Sequence, residues 1–299
     1  MIIDQISNIK DQIYRLKIKN NNTGQVVLIL VLITVVGLTV GLSLIARTVT
    51  DVRISSQIEQ SGRAFSAAEA GIETALKTAI INGPTGTVEL LGADASYNVT
   101  ALGDSTNIYS FPLTPSGQSQ TIWLVPHNDN GTLKETESIP PVGKAYPMDA
   151  SFDICWGSDI LAKPAVVLSL YYKEGSDYKV TKLAFDSLGS RGNNFYLADT
   201  TGNYCNGIYN FKKSLQPNLA PENGFGVSGA SITLLALRIH VLYDSTTFAI
   251  KPSTAALPLQ GKLITSTGET NTGIVRRVQV NQGYPSLPSL LDFTLFREN

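Results

Sequence analysis

From Gln25 to Ala46 the chain reads QVVLILVLITVVGLTVGLSLIA, 22 residues without an ionisable side chain. At about 1.5 Å per residue a helix of that length reaches roughly 33 Å, enough to cross the hydrocarbon core of a bilayer. The run therefore predicts a membrane-spanning helix over 25–46. A removable export signal is the competing reading, but its apolar core is usually about 7–15 residues and ends at a small-residue cleavage site. The run here is longer, and no such A-x-A site follows it.

The flanking charges set a direction. Lys10, Arg15, Lys17 and Lys19 precede the run, whereas Arg47, Asp51, Arg53 and Glu59 follow it in balanced number. A positive flank stays on the cytoplasmic side, so the expectation is a single-pass protein of the inner membrane with its N-terminus inside and its bulk outside. Residues 1–24 form a basic leader in which Ile2, Ile6, Ile9, Ile13 and Leu16 alternate spacings of four and three, one face of a helix. Two readings stay open: a helix lying on the inner leaflet, or a leader that only orients insertion. Asn20, Asn21 and Asn22 end any such helix.

Beyond Ala46 no proline or turn cluster appears until Asn82-Gly83-Pro84. Ile58, Phe65, Ile72 and Ala79 recur every seven residues beside Ala68, Ala75 and Leu76, and Glu59/Arg63 and Glu73/Lys77 are favourable i, i+4 pairs. Residues 47–81 thus read as an amphipathic continuation of the same helix, about 85 Å long from Gln25 to Ile81. Phe65, Ile72 and Leu76 are expected to be buried against whatever follows, while Val36 and Leu38 have no partner within the chain. Gly37 and Gly41 make a G-x-x-x-G step suited to close helix packing.

From Pro84 onward the text changes to short apolar or alternating runs separated by Gly, Pro, Asn and Asp. Strands are expected at 97–102, 121–125, 152–156, 166–172, 179–185, 234–243, 262–265 and 274–280, with a turn at Lys173-Glu174-Gly175-Ser176. In the run 234–243, Leu235, Leu237, Ile239, Val241 and Tyr243 share one face, leaving Arg238 and His240 on the other as exposed residues. The fold class is α+β: a long N-terminal helix, then an all-β, sandwich-like domain over 84–299.

The chain has 23 basic and 24 acidic side chains, so outside its first 20 residues it offers no footprint for nucleic acid. Cys155 and Cys205 are its only cysteines. Both fall in the part placed outside the cytoplasm, where thiols are oxidised, and they are expected to form a disulfide. No cofactor or metal site is expected: His127 and His240 lie far from both cysteines, and Asn128, Asp129 and Asn130 make a turn rather than a full oxygen-ligand loop. No catalytic motif appears, so the expectation is a non-enzymatic protein.

The run Ala64-Phe65-Ser66-Ala67-Ala68-Glu69-Ala70-Gly71-Ile72-Glu73 resembles the A-F-x-A-A-E-A-G-I motif that follows the membrane helix in PilX-like and PulK-like minor pilins of type IV pili and type II secretion systems. The similarity is strongest over 24–76 and also touches Ile264–Gly268 and Arg276–Val280, which look like the closing hairpin of such sequences. It implies a structural subunit for filament assembly and surface display or adhesion. The implied partners are other pilin subunits, a prepilin peptidase, the inner-membrane assembly platform and membrane lipid. Gly24 stands where the family keeps the glycine before the peptidase cut, which makes Gln25 the first mature residue, and Glu69 belongs to the helix motif. Two departures stand out: Gln25 is an unusual first residue, and Ile29 occupies the place of the glutamate found in major pilins, which points to a minor or tip subunit. The alternative is a membrane-anchored β-sandwich that binds a glycan or cell surface without joining a filament. In that case Trp123, Trp156, Tyr171 or Tyr172 are candidate platforms, although strand aromatics are more often core.

Overall fold

The computed structural model describes residues 7–12, 23–77, 85–103, 105–128, 131–134, 145–159, 161–200, 202–229 and 231–289. Of the leader, 7–12 are described as helical and exposed and 23–24 as the start of a helix; the rest of it, 78–84, Asp129 and Asn130 lie outside the described residues. The chain divides into two compact units, one running to Arg63 together with Thr272–Ile274, the other formed by Ala64–Asn271 and Val275–Asn299.

Helix α1 spans Thr23–Leu76 without a break. Up to Arg63 its side chains are almost all exposed within the chain, Val36 and Leu38 included. Four of its threonines are satisfied within the helix. Thr34 and Thr39 each donate to the carbonyl three residues back at 2.8 Å, and Thr48 and Thr50 to the carbonyl four back at 3.0 Å. A hydroxyl served this way needs no water, which suits a helix surrounded by hydrocarbon. The helix is long and apolar enough to cross a membrane.

In the second unit the last turns of α1 lie on a four-stranded antiparallel sheet, ordered β1 (Thr85–Leu90), β2 (Ala93–Leu102), β12 (Gly261–Thr270) and β13 (Val275–Gly283). Ala64, Ala67, Ala68, Gly71, Ile72 and Ala75 form the contact stripe at three- and four-residue spacing. Ala67 meets Ala93 and Ala95, while Ile72 and Ala75 meet Val99 and Ile264. Small side chains let the helix come in very close. A Cβ on Gly268 would collide with the Ala64 carbonyl and stand 2.7 Å from the Ala68 nitrogen, so the sheet accepts only glycine there.

Phe65 and Leu76, expected in this contact, are 47% and 39% exposed. At about 100° per residue they sit roughly 80–100° around the helix from Ala75, on the flank of the buried arc. Ile72, Ala68 and Ala75 of the expected stripe are buried; close approach adds the small Ala64, Ala67 and Gly71 and leaves Phe65 and Leu76 outside.

The remaining strands make a sandwich. One sheet is ordered β4 (Ser119–Trp123), β10 (Ile232–Leu242), β6 (Ala165–Glu174), β7 (Asp177–Asp186) and β8 (Tyr196–Leu197). The other is β3 (Tyr109–Ser110), β11 (Phe248–Pro252), β5 (Phe152–Trp156) and β9 (Phe211–Leu215). Leu168, Leu170 and Ile239 of the first sheet share a core with Ile154, Trp156 and Phe248 of the second. The topology is nested: β2 and β12 pair in register from Ala93–Thr270 to Leu102–Gly261, so residues 103–260, the whole sandwich, are an insertion between two neighbouring strands.

All eight expected strands are present. The β6–β7 turn falls at Gly175 and Ser176, as expected. Five others, β1, β3, β8, β9 and β11, carry no clear alternation; β3 and β8 are two residues each, and β9 reads FKKSL. In β10 the pairing with β6 shifts between Leu234 and Ala236. That bulge puts Leu234 into the shared core of the two sheets, while Leu235 is buried outside that cluster. Arg238 and His240, expected to be exposed, are buried: His240 Nδ1 lies 2.8 Å from Ser119 Oγ, and Arg238 donates to Thr121 Oγ1 at 3.2 Å.

Gly268→Ala should destabilise the second unit by about 3 kcal/mol, the upper part of the overpacking range, because the colliding atoms are helix backbone. Leu76→Ala should cost no more than about 1 kcal/mol, below the roughly 2–5 kcal/mol of a fully buried leucine. Urea unfolding of both variants, followed by tryptophan fluorescence, checks the contrast; equal midpoints would refute it.

Candidate functional site

The residues singled out in the sequence do not converge on one site. Gly24 lies inside α1, and Gln25 is exposed. A Cβ on Gly37 or Gly41 would meet nothing within 4 Å, so their bare surface has no partner among the described residues of this chain. Glu69 points to solvent while its motif neighbours Ala67, Ala68 and Gly71 are buried. The pattern A-F-x-A-A-E-A-G-I therefore spells the docking stripe of the helix: Ala64, Ala67, Ala68, Gly71 and Ile72 face the sheet, Phe65 lies on the flank and Glu69 faces away.

One residue that the sequence reading passed over closes this contact. Lys262 stands in β12 on the same face as Ile264 and Gly268, and only 3% of it is exposed. Its Nζ lies 3.3 Å from both the Ala75 and Leu76 carbonyl oxygens, in the last turn of α1, where carbonyls run out of intrahelical donors. A cation at a helix C-terminus is favourable, which offsets the burial that lowers its pKa. The available signal was a lysine two residues before Ile264, on the strand face that also carries Ser266, Gly268 and Thr270.

Cys155 and Cys205 lie at bonding distance, with Cα atoms 6.2 Å apart, in the range for a disulfide. Cys155 sits in β5; Cys205 is in the connection from β8 to β9, held beside it with Tyr209 and Ala249. The link fastens a long connection to a central strand.

Where the sandwich joins the helix-bearing sheet, Gln260 hydrogen-bonds both backbone groups of Trp123, accepting from its N–H and donating to its carbonyl, each at 2.8 Å. Beside this latch the rings of His127 and Tyr284 stack 3.8 Å apart, with Trp123 edge-on to His127 at 4.6 Å. His127 is thus part of a packed junction. Burial pushes its pKa down to about 4 from 6.5, opposed in part by a backbone contact with Val125.

Among the candidate platforms, Trp156 is fully buried in the core, while Trp123, Tyr171 and Tyr172 are half-buried. Tyr243, expected on the inner face of β10, instead lies just past the end of that strand and is 50% exposed. Among the described residues no group of three or more His, Cys, Asp or Glu is placed to hold a metal ion. On the face of the four-stranded sheet away from the helix, an open hollow of about 550 Å³ is lined by hydroxyls and amides, Thr87, Ser96, Asn98, Thr265 and Gln279 among them, with Arg277. Compared with known proteins, the chain matches no family model and no curated sequence.

The junction predicts a pH dependence. His127 is neutral in the fold down to about pH 4, whereas the unfolded chain takes up the proton near pH 6.5. Its contribution to stability is therefore full above pH 6.5 and is lost progressively as the pH falls toward 4. His127→Phe keeps a ring in the stack and removes the proton. Thermal midpoints of the two proteins should run parallel above pH 6.5 and diverge below it, the wild type falling further; parallel curves throughout would refute the assignment.

Proposed function

We propose that the chain is a pilin-like subunit of minor or tip type, a non-enzymatic component of a type IV pilus or related filament that displays its inserted sandwich outside the cell. One observation carries the reading: a helix apolar enough to cross a membrane continues unbroken into a small-residue stripe, and that stripe seats the helix on a four-stranded antiparallel sheet. The stripe coincides with the minor-pilin-like motif at 64–72. In this arrangement the apolar half of α1 is left for lipid and for the helices of other subunits. The exposed flank formed by Phe65 and Leu76 supports the same division. The sandwich, inserted between β2 and β12, can vary without disturbing the strands that hold the helix.

The basic leader directs the N-terminus to the cytoplasm, where a prepilin peptidase cuts after Gly24, and the inner-membrane assembly platform then receives a chain beginning at Gln25. Mass spectrometry of the mature N-terminus separates this reading from its rival, a membrane-anchored sandwich that binds a surface and never enters a filament. The expected result is a chain that starts at Gln25, with Gly24→Ala retaining the leader. Peptides from the intact leader in the assembled protein would favour the plain anchor.

A further inference from the structure

Three connections of the sandwich come together at one end: residues 157–159 and 161–164 between β5 and β6, 187–195 between β7 and β8, and 243–247 between β10 and β11. Asp186, at the end of β7 and 1% exposed, organises them. Its carboxylate accepts from Arg191 Nη1 at 2.6 Å, from Asn193 Nδ2 at 2.7 Å and from the Leu188 N–H at 2.9 Å. Arg191 Nη2 in turn donates to the Lys163 carbonyl at 2.6 Å, and the Lys163 N–H donates to Asp244 Oδ2 at 2.8 Å. Hydrogen bonds thus run from the second loop to the first and from the first to the third. A buried carboxylate with this many donors makes a rigid support.

The support presents one side chain. The Arg191 guanidinium lies 4.0 Å over the centre of the Tyr243 ring, and Asn193 Nδ2 reaches the Tyr243 hydroxyl at 3.2 Å. One face of the ring is thereby covered and its plane fixed, while half of the residue stays open to solvent. Tyr243 also holds φ at +69°, a left-handed conformation that disfavours any residue with a Cβ other than Asn or Asp. A bulky aromatic kept there against its backbone preference, and already immobilised, loses little freedom when something stacks on it.

The chemistry around the ring selects the partner. An apolar peptide side chain is bound in a concave, desolvated pocket, whereas this ring stands in the open. A nucleobase would stack equally well, but its phosphates need free cations; Arg191 is engaged by Asp186, and the residues after Tyr243 are the exposed Asp244 and Ser245. A sugar ring offers a flat C–H face to an aromatic and hydroxyl donors to a carboxylate. We propose that Tyr243 is the stacking platform of a carbohydrate-binding site at this end of the sandwich, taking the C–H face of a neutral pyranose while Asp244 accepts from its hydroxyls. The site is independent of filament incorporation, so a subunit that keeps its leader would bind the same sugar.

The test uses the full chain in lipid nanodiscs, which avoids sugar-based detergents, with lactose and chitotriose as probes in saturation-transfer NMR. Transfer to the ring C–H protons of at least one probe is expected. It should persist in Tyr243→Phe and fall by about tenfold or more in Tyr243→Asn, which suits the left-handed backbone. A ring-labelled tyrosine sample of the wild type gives a second readout that needs no substitution to fold: the Tyr243 signal should move on addition of the bound probe. No transfer from either probe, unchanged transfer in Tyr243→Asn, or a Tyr243 signal that does not move would each overturn the proposal.

Discussion

The approach of one helix face to one sheet governs this molecule. With Ala64, Ala67, Ala68, Gly71 and Ala75 on the helix and Gly268 on the sheet, backbone lies almost directly on backbone. Such a contact has little side-chain entropy to lose and gains dispersion over a continuous surface. It also tolerates no added volume, which fixes the register of the helix on the strands. Lys262 then completes the end of the helix by supplying charge-assisted hydrogen bonds to carbonyls that the helix itself cannot serve.

From that anchorage the rest of the architecture follows. Because β2 and β12 are neighbours along their whole length, the chain leaves the sheet at Leu102 and must return beside it at Gly261. Anything placed between those points has its ends held together, the condition under which a large insertion folds around its own core. The sandwich has that core, centred on Trp156, Phe152 and Phe248, as well as its own cross-link at Cys155 and Cys205. It meets the sheet through Gln260 and the stack of His127 on Tyr284. On the function proposed, the anchored part supplies assembly and the inserted part supplies recognition.

Much of this was legible in the sequence, and the rest was hidden for identifiable reasons. The uncharged run at 25–46, the change of text at Pro84 and the pairing of the two cysteines each follow from local composition. The alternation of β6, β7 and β10 was equally plain. The docking face was read in part: Ile72, Ala68 and Ala75 are buried as expected, whereas Phe65 and Leu76, favoured by size-weighted periodicity, lie outside a contact built mostly from residues with almost no side chain. The nesting of the sandwich had no local signature: the partnership of β2 with β12 is a pairing across residues 103–260, and only the fold brings those strands together. Nor could alternation reveal the bulge after Leu234 or the left-handed turn at Tyr243, since each breaks the period from which it would have been read.

Hydrogen exchange on the full chain in nanodiscs reads the central contact directly. If the helix is locked to the sheet by its small-residue stripe, amides of residues 64–75 share the slow exchange of β2 and β12 and open together with them under mild denaturant. Residues 47–59, which are exposed within the chain, then exchange faster and independently. Equal exchange across 47–75, or opening of 64–75 while β2 and β12 stay protected, would contradict the account and leave the helix a stalk merely tethered to its domain.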